Sequence, residues 1–122
     1  MKCKFFVAIL LLMPFIISAT NQSSLIKFET TDINLGEISI SDKIDTLFYF
    51  TNTSEKSVVI LEVKTFCGCT KVKYNRKPLL SGAKDSIEVT FKPDDKGAFY
   101  KKIDIKNSLG EKHILVLKGS VI

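Results

Sequence analysis

The chain has 122 residues, with 18 lysines and arginines against 13 acidic residues, three cysteines, one histidine and no tryptophan. That length suits a single domain. The formal charge of +5 is interspersed rather than gathered on one face, which argues against a nucleic-acid reader.

The first element is a leader. Lys2 and Lys4 precede an apolar run from Phe5 to Ile17, and Ser18 and Ala19 precede a polar stretch, the pattern of a signal peptide over residues 1–19 cut after Ala19. As a helix the run reaches about 20 Å, short of the ~30 Å hydrocarbon core, so removal is expected rather than retention as an anchor. No cysteine ends the run, so the chain is not expected to be a lipoprotein, and Cys3 leaves with the leader. The expected product is an exported domain over residues 20–122, periplasmic or secreted and free of the membrane. Its 16 basic and 13 acidic residues leave a net charge of +3 once Lys2 and Lys4 are gone.

From there apolar residues recur with a period of two, the signature of half-buried strands. "IKFETTDINLG" opens the series. In "KIDTLFYFTNTSEK", Ile44, Phe48 and Phe50 share one face while Leu47 and Tyr49 share the other. "SVVILEVKTF" follows and stops at Cys67, and a short "TKVKY" comes after the cysteines. "DSIEVTFKP" places Ile87, Val89 and Phe91 inward, and "AFYKKIDIKN" does the same for Phe99, Ile103 and Ile105. "KHILVLKGSVI" is apolar on both faces, as a central strand is. "KPDDKGA" and "NSLGEK" read as hairpin turns. The sum is an all-β, immunoglobulin-like β-sandwich of about seven antiparallel strands. The densest basic stretch, Lys71, Lys73, Arg76 and Lys77, reads as a solvated strand edge and turn.

The chain at this point resembles a bacterial family of exported proteins catalogued as domain of unknown function 1573. The residues that carry the resemblance are "FYFTNTSEKSVVI", "CGCT" at Cys67–Thr70, "VTFKPDDKGAFYKKIDIKNS" and the closing "LVLKGSV". Ser81-Gly82 stands where the family usually has Pro-Gly. The resemblance runs from about Phe28 to Val121 and implies an Ig-like fold of the sperm-protein and chaperone type, an envelope location and no particular activity.

Three chemistries compete for Cys67 and Cys69, with Gly68 and Thr70 as loop support. An oxidising compartment favours bridged or ligated thiols. In an extended strand, residues two apart have Cα atoms about 6.5 Å apart, and a turn brings them into bridging range. A ring this small removes little chain entropy and is a poor staple. A redox role is the second reading, with Lys64, Lys71 and Lys73 favouring thiolate. Copper or zinc binding is the third, short of ligands because His113 is the lone histidine and no methionine follows the leader. The bland alternative is two small residues packed at a strand end. Asp94 and Asp95, beside Pro93 and Gly97, read as turn formers, and the acceptor-like Asn21-Gln22-Ser23 and Asn52-Thr53-Ser54 as chance matches to a glycosylation pattern.

No phosphate loop, nucleophile elbow or Ser-His-Asp set can be assembled. The expectation is therefore a non-enzymatic binding module with no cofactor, partnered by another envelope or cell-surface protein. The alternative is a thiol redox or copper- or zinc-handling protein that uses Cys67 and Cys69.

Overall fold

The computed structural model describes residues 24–122. The leader over residues 1–19, its cut after Ala19, Cys3 and Asn21-Gln22-Ser23 lie outside the described residues. The strands are β1 (Ile26–Phe28), β2 (Asp32–Ile38), β3 (Ile44–Asn52), β4 (Ile60–Thr65), β5 (Thr70–Tyr74), β6 (Lys84–Phe91), β7 (Gly97–Asn107) and β8 (Lys112–Val121). They form two sheets of four, ordered β1-β3-β6-β5 and β2-β8-β7-β4.

The fold is the expected Ig-like sandwich, with eight described strands in place of seven. The extra strand arises because "IKFETTDINLG" divides. β1 pairs with β3 in one sheet, the polar residues Glu29–Thr31 cross the end of the sandwich, and β2 joins β8 in the other. The expectation of all-antiparallel pairing also needs correction, because β2 and β8 run parallel. Only a hairpin forces neighbours to be antiparallel. β2 and β8 are far apart in the chain, so the crossing from β1 sets their relative direction. "KPDDKGA" is likewise no hairpin: it carries the chain from β6 in one sheet to β7 in the other. "NSLGEK" does close the β7–β8 hairpin, with Gly110 at φ 84° where a side chain would be strained.

The core follows the alternation. Phe48, Ile87, Val89, Ile103, Leu115 and Leu117 have no exposed surface, and each such burial contributes about 1.5–3 kcal/mol before entropy is counted. Phe91 and Phe99 pack with ring centroids 4.5 Å apart, which joins the two sheets near the β6–β7 crossing. Two strands end on a buried asparagine. Asn52 closes β3, where its Oδ1 accepts the N–H and the hydroxyl of Ser54 at 3.0 and 2.7 Å and its Nδ2 donates to the carbonyls of Lys56 and Leu79. Asn107 closes β7 in the same way, its Oδ1 accepting from the Leu109 and Glu111 amides. With both amides satisfied internally, they serve as turn anchors, and Asn52, wholly buried, is no acceptor for a glycan in the folded protein.

The parallel ladder carries one irregularity. Its register shifts between Asn34 and Glu37, with Gly36 at φ 67°. The bulge brings the Gly36 carbonyl against Gly119 of β8, where an added Cβ would sit 2.7 Å from that oxygen and 2.8 Å from the Phe99 ring. Glycine is therefore required at position 119 by close approach.

The Cys-Gly-Cys corner as a candidate functional site

β4 is an edge of one sheet and β5 an edge of the other. The stretch Phe66–Cys69 between them therefore turns a corner between sheets along one flank. Thr65 is fixed opposite Ile103 of β7 and Thr70 opposite Phe91 of β6, so four residues must bridge the two layers. The turn closes tightly: the Thr70 N–H donates to the Cys67 carbonyl at 3.2 Å, and the Cys69 N–H donates to Cys67 Sγ at 3.2 Å. The Cα atoms of Cys67 and Cys69 are 5.2 Å apart, inside disulfide range, and their sulfurs are close enough to bond. The shortening expected of a turn relative to a strand is present.

The two cysteines face different surroundings. Cys69 is 8% exposed and packs into the core, while Cys67 is half-buried at the surface. Thr70 is buried, and its hydroxyl lies 3.7 Å from Cys69 Sγ. Gly68 is exposed, its φ lies outside the left-handed region, and an added Cβ would meet nothing within 4 Å. The turn therefore makes no steric demand for glycine at this position.

One residue treated in the sequence as a plain turn former belongs to this corner. The Lys92 N–H donates to the Cys69 carbonyl at 2.9 Å, which fastens the β6–β7 crossing to the cysteine turn. Pro93, buried beside it, directs Asp94 to the same place. The Asp94 carboxylate and the sulfurs of Cys67 and Cys69 lie within 4.8 Å of one another. The signal was present in "FKPDD", but no spacing rule links it to a motif more than twenty residues upstream.

Two shallow grooves flank the pair. One, of about 440 Å³, is lined by Lys43, Gly68, Cys69, Lys71, Lys92 and Asp94 among others. The other, of about 310 Å³, is lined by Phe66, Cys67, Thr70, Tyr100, Lys101 and Lys102. Phe66 and Tyr100 are 62% and 60% exposed. The corner is thus basic with an exposed aromatic side, a setting in which lysines would favour the thiolates of a reduced pair. Of the lysines expected to do so, Lys71 lines a groove, Lys73 points outward along β5, and Lys64 lies 5.3 Å over the Phe66 ring.

His113 is not part of this site. Its ring packs edge-on against Phe28, with Nε2 3.2 Å from Asn107 Nδ2 and 3.6 Å from Glu111 Oε1. Burial alone would push the Glu111 carboxyl up. The Leu25 amide, the Asn107 side chain, the His113 charge and the Ile26 amide together reverse this and hold it below the ordinary carboxylate range. The histidine is a packed residue beside a carboxylate that ties the segment ahead of β1 to the β7–β8 turn.

A family model described as "Protein of unknown function (DUF1573)" matches residues 26–121. The chain belongs to the DUF1573 family. No curated protein matches this DUF1573 chain. Solved structures share its architecture. The ASH/PapD-like domain 7 of human CEP192 is similar at TM-score 0.70 and 11% identity, over 82% of this chain and 87% of that one. WR4, a major-sperm-protein family member from C. elegans, is similar at 0.59 and 12%, over 82% and 100%. The secreted serine protease VesC of Vibrio cholerae is similar at 0.63 and 15%, over 79% of this chain and 23% of the protease, so the DUF1573 chain spans about a quarter of that protein. At these identities the likeness is one of fold, a PapD-like or Ig-like sandwich.

Proposed function

We propose that this DUF1573 chain is an exported, non-enzymatic binding module that docks another envelope or cell-surface protein along the β4–β5 flank. The observation that carries the reading is the open edge of β4, which among the described residues is paired only with β7 and displays Leu61 at 60% exposure, with Phe66 at 62% just past its end. An unpaired edge offers main-chain hydrogen bonds to an incoming strand, and exposed apolar side chains supply the specificity. On β5, the neighbouring edge, Lys71 and Lys73 discourage indiscriminate pairing and direct the partner to β4. The bridged Cys67–Cys69 turn sets the end of this flank and aims Phe66 outward. Export is supported by the leader pattern at residues 1–19 and by the secreted description of VesC.

The test is capture from envelope extract with purified chain as bait. The same partner should recur, be lost with Leu61→Asp or Phe66→Asp, and be kept with Leu47→Asp on the outer face of β3. No recurring partner, or one indifferent to the β4 variants, would refute the reading.

A further inference from the structure

The arrangement of Cys67, Cys69 and Asp94 carries an inference that does not depend on the binding-module reading. We propose that the cysteine pair, once reduced, forms with Asp94 a three-ligand site for a divalent d¹⁰ ion of the zinc type. The three donor atoms already lie within 4.8 Å of one another. Zinc with bonds of about 2.0–2.3 Å needs its ligands roughly 3.5–4 Å apart, so modest side-chain rotations complete the set. Two thiolates and one carboxylate form a borderline donor set that suits zinc better than Cu(I), which favours sulfur alone. The two backbones are held in place by the Lys92 to Cys69 hydrogen bond, so the carboxylate does not need to be brought in from a distance.

The electrostatics agree. Two thiolates and Asp94 carry three negative charges against the ion's two positive ones, and Lys43, Lys71 and Lys92 line the same groove to offset the remainder. Asp94 is exposed, so the fourth position opens to water or to a ligand from outside. In the bridged state the sulfurs are bonded to each other and hold no ion. A dithiol reductant opens the site: the Cys67–Cys69 bond breaks, the two electrons and two protons of the dithiol pass to the cysteines, and the reductant leaves as its own disulfide. The ion then displaces both thiol protons. The pair is thereby a switch between a covalent turn and a metal-held turn.

The experiment uses cobalt(II) as a spectroscopic probe on purified protein, oxidised and then reduced with dithiothreitol that is removed under inert gas. The oxidised protein should bind no cobalt. The reduced protein should take one equivalent, with sulfur-to-cobalt charge-transfer bands and the visible bands of a tetrahedral ion, and zinc should displace it. Asp94→Asn should weaken the site at least about tenfold, while Asp95→Asn leaves it unchanged. Circular dichroism would verify that both variants fold. Cobalt uptake by the oxidised protein, a spectrum without thiolate bands or unchanged affinity in Asp94→Asn would overturn the proposal. So would no uptake by protein whose two thiols alkylate fully.

Discussion

The side-chain amide of Asn52 donates to the carbonyl of Leu79 at 2.9 Å, which ties the end of β3 to the loop that precedes β6. The same side chain makes three further hydrogen bonds in a site without solvent exposure. Removing it leaves the Ser54 N–H without its acceptor, while the Lys56 carbonyl keeps the Ser54 hydroxyl and the Leu79 carbonyl keeps the Val58 N–H, and a buried unsatisfied group costs about 1–3 kcal/mol.

Asn52→Ala is therefore expected to destabilise the domain by about 1–3 kcal/mol. The measurement is urea unfolding, in which the midpoint should fall with little change in slope. A loss under ~0.5 kcal/mol would mean that the turn re-forms without its anchor.

Glycines at two positions make opposite predictions. Gly119→Ala puts a methyl 2.7 Å from the Gly36 carbonyl and should cost about 1–3 kcal/mol, because backbone must move. Gly68→Ala meets open space and should change stability by less than about 0.5 kcal/mol. Alkylation followed by intact-mass measurement, before and after reduction, should find the Cys67–Cys69 pair unchanged in the Gly68 variant.

The bridge at the corner encloses a single residue and so restricts the unfolded chain weakly. Reduction should lower stability by no more than about 2 kcal/mol and leave the domain folded at 25 °C. Loss of the native dichroism on mild reduction would show the turn to be a structural staple.

Glu111 supplies a pH dependence. Its folded pKa is depressed, so its contribution is present above the ordinary carboxylate range and is lost as pH falls through the lower folded value. Glu111→Gln should lower the unfolding midpoint at neutral pH, and the gap to wild type should close as the pH drops below the ordinary carboxylate range. A gap that stays constant with pH would assign the effect to packing.

The alternation of "DSIEVTF" and "IDTLFYF" made the inward faces legible, because period two fixes which side chains share a side. It cannot say which sheet a strand joins. Pro93-Asp94-Asp95 and Asn107-Ser108-Leu109-Gly110 use the same turn chemistry, yet the first crosses between layers and the second reverses within one. The difference lies in long-range pairing. For the same reason β1 and β2 read as one strand, since Glu29–Thr31 is as polar as any solvent face. The cysteine corner was legible as a tight turn at a strand end, but Asp94 was not, because only the crossing of β6 to β7 brings it there.

The parallel pairing of β2 with β8 has a consequence for how the chain comes into being. β8 occupies an interior position between β2 and β7, yet of the eight described strands it is the last to be synthesised. Until Lys112–Val121 has emerged, β2 has no neighbour in its sheet, and Ile33 and Leu35 have no completed layer to cover. Closure of this sheet therefore waits for the synthesis of β8, and a nascent chain stopped before it lacks the strand that joins β2 to β7.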